Sequence, residues 1–288
     1  MALFSKTVIH EKKPKALVLT GFGINCEEEM AAACRYAGAD AHIVHLNHVF
    51  QGHVSIHNYD VLNLPGGFSF GDDLGSAKVL ANQLKVRHLA SGKPFMEEIL
   101  QFLHEGKYIL GVCNGFQTLV KMGLLPNTGG NYEQEATLTF NDSGKFEDRW
   151  VTCAILPSNP TPFLNKMDQI DLPVRHGEGK LIFKDDSIRK EVIRQKLNVL
   201  TYIDRDGHPT DRYPWNPNGS ELNCAGLCDP TGHVFGLMPH PEAYSMLYNH
   251  PDWNWMRKRG MIYHDNGEGL KIFRNIVETV MVRNYKIS

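Results

Sequence analysis

The chain has 288 residues, of which 42% are hydrophobic and 22% charged, with a formal net charge of −2. That length supports a sizeable core in one large domain or two, and the near-balanced charge excludes the basic footprint of a nucleic-acid or anionic-membrane binder. No apolar run approaches the roughly 20 residues of a membrane-spanning helix.

Met1 to Pro14 is short and mixed in charge. It lacks the apolar stretch of a secretory signal, so it reads as an N-terminal extension to a single domain over 15–288. Ala16 to Thr20 is a first strand. Glu27 to Gly38 is a helix with acidic residues in its first turn and glycine at its end. Ala41 to Leu46 and Val61 to Leu64 are the next strands, and Lys78 to Leu89 and Phe95 to Glu105 are helical. The apolar run Tyr108-Ile109-Leu110 then enters the helix-like Thr118 to Met122. Strands alternating with helices predict an α/β fold: an open, mostly parallel sheet covered by helices on both faces. Beyond Gln134 the pattern becomes apolar alternation, in Thr137 to Phe140 and Trp150 to Ile155, which predicts appended antiparallel strands. Val234 to Met238 reads as a buried strand near the end.

Three segments carry chemistry. Gly111-Val112-Cys113-Asn114-Gly115-Phe116-Gln117 lies at a strand-to-helix junction and has the shape of a nucleophile elbow. Its glycines allow a sharp turn and a close helix–strand approach. The following helix would present its positive end to the Cys113 sulfur, favouring thiolate over thiol, and the Asn114 N–H lies where an oxyanion would form. Pro239-His240-Pro241-Glu242 follows a buried strand, and its prolines fix φ on either side of the histidine. Nucleophilic cysteine chemistry needs an imidazole to move protons and a third group to hold its tautomer, and His240 with Glu242 supplies both. Pro65-Gly66-Gly67-Phe68-Ser69 ends the third strand in a turn with unhindered N–H groups, as an oxyanion hole requires.

The order glycine turn, elbow cysteine, His-x-Glu resembles the class I (triad-type) glutamine amidotransferases. Gly23-Ile24-Asn25-Cys26-Glu27-Glu28, Pro65 to Asp72, the Cys-Asn-Gly-Phe-Gln elbow, Leu124-Leu125-Pro126, His176-Gly177-Glu178-Gly179, Asn218-Gly219-Ser220 and Met238 to Glu242 extend the likeness over nearly the whole chain. Within that family they are most similar to the glutaminase subunits of phosphoribosylformylglycinamidine synthase. The resemblance implies a flavodoxin-like fold in which Cys113 forms a γ-glutamyl thioester with L-glutamine. It also implies that His240 is base and then acid, that Glu242 orients it, and that Gly67 and Asn114 offer the oxyanion amides. Gln117 and the backbone around Arg175, His176 and Gly177 would contact the substrate. The implied partner is a synthetase subunit, with or without a small accessory subunit. That partner would bind ATP and magnesium and convert formylglycinamide ribonucleotide to formylglycinamidine ribonucleotide in purine biosynthesis. On chemistry alone His176 competes with His240 as the base; the family pattern and the neighbouring Glu242 favour His240.

The chain departs from the family pattern in three places. Asp73-Leu74-Gly75-Ser76-Ala77-Lys78 stands where an aromatic and an arginine are usual, and Ala243 stands where arginine is usual. The aromatic-rich segment 244–266, with Trp253, Trp255 and Tyr263, is longer than usual and reads as an insertion. Other chemistries find little support. Gly21 to Cys26 lacks the third glycine of a dinucleotide fingerprint, and no Gly-Lys-Ser/Thr phosphate loop is present, so no cofactor is expected on this chain. Cys224 and Cys228 are four apart around Gly226, without zinc spacing. His42, His45 and His48 have no cysteine or carboxylate cluster beside them, so no metal site is expected. Six irregularly spaced cysteines suggest no disulfide framework, and a reducing cytoplasm is the expected compartment. The alternative reading is a Cys-dependent hydrolase or peptidase of a related elbow-bearing fold; there the histidine would usually sit beside the cysteine, where this chain has Asn114. A catalytically idle scaffold is disfavoured because every triad residue type is present.

Overall fold

The computed structural model describes residues 13–261 and 264–287. The strands are β1 Lys15–Thr20, β2 Asp40–His45, β3 Val61–Leu64, β4 Tyr108–Val112, β5 Ala136–Thr139, β6 Glu147–Ile155, β7 Gln169–His176, β8 Lys180–Phe183, β9 Asn198–Tyr202, β10 Cys224–Cys228 and β11 Val234–Leu237. The helices are α1 Glu27–Tyr36, α2 Leu46–Phe50, α3 Lys78–Val86, α4 Phe95–His104, α5 Asn114–Met122, α6 Asp186–Arg194, α7 Trp253–Lys258 and α8 Leu270–Ile287. Nine strands make one sheet in the order β2-β1-β3-β4-β11-β10-β9-β6-β7, while β5 and β8 pair separately. The pairs from β2 through β11 are parallel, and those from β11 through β7 are antiparallel. The expected α/β sheet is present, and most of the antiparallel strands extend that sheet.

Central strands β3, β4, β10 and β11 are buried at every residue, as expected where helices cover both faces. The chain leaves β1 outward to β2, then crosses back to β3 on the other side of β1. Right-handed crossovers in opposite directions place their helices on opposite faces. Accordingly α1 packs with α8, whereas α3 packs with α4 and α5. The reversal creates a crevice at the carboxyl edge of the sheet, where ligands bind in folds of this kind.

Several expected boundaries shift for local reasons. The second strand stops at His45 because its Nδ1 accepts the Asn47 amide, so Leu46 already belongs to α2. Helix α1 ends at Tyr36, and Gly38 at φ 103° turns the chain into β2. Helix α3 ends at Val86, where Arg87 becomes extended and residues 88 and 94 bridge. No helix among the described residues is long and apolar enough to cross a membrane. Tyr263 and residues 1–12 lie outside the described residues.

The described residues of segment 244–266 fold back on the rest of the domain. Tyr244 is fully buried and packs edge-on with Trp150 at 5.0 Å, and His250 joins the same cluster edge-on at 4.5 Å from Trp150. A Met246–Asn266 bridge closes its base. At its tip Trp255 remains 51% exposed.

Packing of α5 on β3 is the tightest constraint. A Cβ on Gly115 would sit 1.9 Å from the Leu64 carbonyl oxygen, and one on Gly111 would meet the Leu119 side chain at 2.5 Å. Overpacking costs about 1–3 kcal/mol. Gly115→Ala should therefore lower the unfolding free energy by at least that amount in denaturant titration, whereas Gly129→Ala, which faces open space, should leave it unchanged. An unaffected Gly115→Ala would contradict the packing described.

Candidate active site

Strand β4 delivers Cys113 to the carboxyl edge in a backbone conformation that L-residues rarely adopt, φ 50° and ψ −105°. Such strain persists only where the surroundings over-determine it. Here the Cys113 amide donates to the Leu237 carbonyl at 2.8 Å and its carbonyl accepts from the Gln117 amide at 2.9 Å. Gly111 and Gly115 allow β3, β4 and α5 to close around the turn. The thiol reaches the Arg175 carbonyl at 3.6 Å, so the end of β7 forms one wall of the site.

Strand β11 runs parallel to β4 and delivers His240 to the same edge. The His240 amide donates to the Pro173 carbonyl at 2.8 Å, which ties this loop to β7. Its Nδ1 lies 2.6 Å from the Glu242 carboxylate, and both side chains are buried. Burial disfavours the imidazolium, but Glu242 and the Cys113 and Cys26 sulfurs outweigh it and hold the His240 pKa well above its ordinary 6.5. Nε2 is buried and makes no hydrogen bond among the described residues. A carboxylate on Nδ1 fixes the tautomer and leaves Nε2 for proton exchange.

The Gly66-Gly67 turn of β3 closes the site from a third side. A Cβ on Gly66 would lie 2.8 Å from the His240 ring and 3.5 Å from the Cys113 Cβ. Gly67, at φ 147°, is pressed against the 23–25 backbone. Among the described residues neither the Gly67 nor the Asn114 amide donates to any acceptor, so both remain available to an oxyanion.

The remaining candidates gather nearby in different roles. Gln117 donates to the Glu178 carbonyl at 2.6 Å and accepts from Asn114 at 3.0 Å, which locks its amide. Arg175 contributes its carbonyl, while its side chain is exposed. His176 is buried and its Nδ1 is held by Asn141 at 3.0 Å. Burial, with the neighbouring His240, lowers its pKa to about 3. A histidine so poorly disposed to accept a proton is a weak base beside His240, and it has Asn141 where His240 has a carboxylate. Gly177 accepts from the Asn141 amide and lies under Phe146.

Sequence reasoning did not assign Asn141, which also accepts from the Gly179 amide at 2.9 Å; a lone asparagine in a loop carries no signal. It also left out Asp72, whose carboxylate braces the loop around Ser76 at 2.8 Å and approaches Asn114. Cys26 at the head of α1 turns out to lie in the site, its sulfur 3.2 Å from the position of a Gly66 Cβ. The other histidines and cysteines go elsewhere. His42 contacts Asp40 and Tyr59, and His45 packs under Phe22. Cys224 and Cys228 are buried in β10 with thiol pKa values pushed up by burial. All six cysteines are free. A strained thiol, an imidazole–carboxylate pair and two unused amides at one edge form the apparatus for acyl transfer through a thioester.

His176 stays neutral in the folded protein but takes a proton in the unfolded chain below pH 6.5. The unfolded state thus binds more protons between pH 6.5 and about 3, so stability falls as pH drops through that window. Relative to His176→Asn, the wild type should lose about 1.4 kcal/mol per pH unit there, read by denaturant unfolding at a series of pH values. Parallel pH profiles would show that the buried imidazole is already charged.

Comparison with known proteins gives the same family from three directions. Residues 13–280 match the family model of the CobB/CobQ-like glutamine amidotransferase domain. The phosphoribosylformylglycinamidine synthase subunit PurQ of Dehalococcoides mccartyi is 39% identical over 266 residues, covering 92% of this chain and 97% of that one. The subunit of the same name from Methanococcus maripaludis is 36% identical, with 92% and 97% covered. Among solved structures, a chain of PurLQS from Thermotoga maritima superposes with a TM-score of 0.66 at 30% identity, over 93% of this chain and all of that one. The chain belongs to the CobB/CobQ-like glutamine amidotransferase domain family.

Proposed function

We propose that this chain is the glutaminase subunit of phosphoribosylformylglycinamidine synthase. It releases ammonia from L-glutamine for a synthetase subunit that converts formylglycinamide ribonucleotide to formylglycinamidine ribonucleotide. The observation that carries the reading is the Cys113 elbow, strained at φ 50°, set beside a buried His240–Glu242 pair 2.6 Å apart in a chain of this family.

Cys113 is the nucleophile. Its sulfur attacks the side-chain amide carbon of glutamine, and the Gly67 and Asn114 amides receive the charge that builds on the carbonyl oxygen. His240 takes the thiol proton and returns it to the departing nitrogen, which leaves as ammonia and a γ-glutamyl thioester behind. Water then attacks the thioester with His240 as base, and glutamate leaves. Glu242 holds the imidazole and stabilises its charged form. Gln117 and the Arg175–Gly177 backbone line the wall that the amino-acid end of the substrate meets. ATP and magnesium belong to the partner, because this sequence has no phosphate loop.

A partner covering the site is supported by its rim. Phe22 and Phe70 stack at 4.7 Å, and Phe68 faces Phe146 at 6.4 Å. Phe22, Phe68 and Phe146 are 38%, 49% and 53% exposed. Exposed aromatics grouped around a site are common anchors of complexes. The tip of 244–266, with Trp253 and Trp255, is a second contact region.

Cys113→Ala should abolish glutamate release from glutamine while leaving the fold intact. Glu242→Gln should reduce turnover less than His240→Ala, because an orienting group contributes less than the group that moves the proton. Equal losses at the two positions would shift the base elsewhere. A purified synthetase of this pathway should raise glutaminase turnover, and Phe68→Ala with Phe146→Ala, or Trp253→Ala with Trp255→Ala, should weaken the complex. Full activity of the isolated chain, indifferent to the synthetase, would reject the subunit reading.

A further inference from the structure

Residues 177–179 connect β7 of the main sheet to β8 of the separate pair, and this turn borders the Cys113 thiol. The Arg175 carbonyl just before it lies 3.6 Å from that sulfur, and the Glu178 carbonyl accepts from the Gln117 side-chain amide at 2.6 Å. Connections of this kind are usually among the more mobile parts of a fold. Here one buried side chain spans the turn. Asn141, two residues beyond β5 and 3% exposed, donates from Nδ2 to the Lys145 and His176 carbonyls, both at 2.8 Å. Its Oδ1 accepts from His176 Nδ1 at 3.0 Å and from the Gly179 amide at 2.9 Å. Its backbone amide donates to the Gly177 carbonyl at 2.9 Å. An asparagine side chain offers two donors and two acceptor lone pairs, so all of its capacity is used, most of it on residues 176–179.

We propose that Asn141 is a positioning residue for glutamine: by clamping residues 176–179 it holds the Glu178 carbonyl, and through it Gln117, where the amino-acid end of the substrate meets them. The proposal rests on the glutaminase reading of this site. Aspartate in this position keeps the two acceptors but has no N–H for the two carbonyls. Leucine fills the volume and satisfies none of the four polar groups. The Ser220 hydroxyl, 3.2 Å from the Gly179 carbonyl, still tethers the far end of the turn when Asn141 is replaced, so the segment 177–178 is what loosens. Gln117 then keeps its bond to Asn114 at 3.0 Å but loses a fixed acceptor for its own N–H. The Cys113 elbow is held separately, by the Leu237 carbonyl and the Gln117 backbone amide, and His240 by Glu242. Loss of the clamp therefore falls on substrate binding more than on the chemical step.

Glutamine hydrolysis by the purified full-length chain, with its synthetase where that raises the rate, separates the two effects. Asn141→Asp and Asn141→Leu should each raise KM for glutamine by at least about tenfold, the scale set by leaving buried partners unsatisfied. The change in kcat should be much smaller. Alkylation supplies a readout that general damage to the fold does not give. A chloromethyl ketone shaped like glutamine meets the clamp on its way to Cys113, whereas chloroacetamide has no amino-acid end. In both variants the ketone should label Cys113 more slowly by a factor similar to the KM change, with the site located by peptide mass, while chloroacetamide should label it at the wild-type rate. Should Asn141→Leu fail to fold, the nearly isosteric Asn141→Asp decides alone; loss of folding in both would show a purely structural asparagine and overturn the proposal. An unchanged KM, or equal slowing of both reagents, overturns it as well. A wild type that neither hydrolyses glutamine nor prefers the ketone would instead reject the glutaminase reading, and the clamp with it. Full wild-type activity matched by both variants would reject the clamp alone.

Discussion

The site depends on the contact between the first turn of α5 and the end of β3, where Gly115 leaves no room for a side chain against the Leu64 carbonyl. That contact draws the elbow down onto the sheet and leaves Cys113 the only residue between strand and helix, at φ 50°. The strain is held by hydrogen bonds from both sides, to Leu237 on β11 and from Gln117 in α5. Because β11 also delivers His240, one hydrogen bond couples the position of the Cys113 thiol to that of the His240 imidazole. A small shift of α5 would therefore displace the thiol and the Asn114 amide together.

Two buried histidines lie beside one another with opposite electrostatic character. The surroundings of His240 include a carboxylate and two sulfurs, and its pKa rises; those of His176 are an asparagine and a neighbouring imidazole, and its pKa falls. His240 thus stabilises the folded state below its ordinary pKa and loses that contribution as pH rises, while His176 acts in the reverse sense below 6.5. Burial alone would lower both, so what separates them is the company of His240: the Glu242 carboxylate on Nδ1 and the two sulfurs. The pair Asn141–His176 lets a histidine fill a wall next to the reactive imidazole without competing for its proton.

Much of this was legible in the sequence because the informative residues are consecutive. The elbow heptapeptide, the Pro-Gly-Gly turn and Pro239 to Glu242 each fit inside one strand end, and the parallel half of the sheet follows from alternating apolar runs and helices. The antiparallel half was harder to read. In β7 and β9 burial alternates only partly, and β10, buried throughout, contains alanine, glycine, cysteine and one leucine rather than β-branched residues. His176 and Asn141 meet across 35 residues of sequence, a relation with no local trace. Cys26 was visible as part of a motif, but its approach to His240 depends on the Cys26 amide bonding Gly66, a backbone contact that side-chain identity does not reveal.

The division of labour between the two halves of the sheet explains why so long a chain serves so small a site. The parallel strands β3, β4 and β11 supply the glycine turn, the Cys113 thiol and the His240 imidazole, all from carboxyl ends that parallel pairing brings to one edge. Such an edge is open on the side away from β2, and the antiparallel strands close it. β7 ends there, placing the Arg175 carbonyl against the thiol and the Pro173 carbonyl against the His240 amide. A wall of backbone carbonyls at this position accepts hydrogen bonds and has no proton to give. Among the described residues at this edge, His240 is a buried imidazole whose surroundings raise its basicity, and its Nε2 is left without a hydrogen bond.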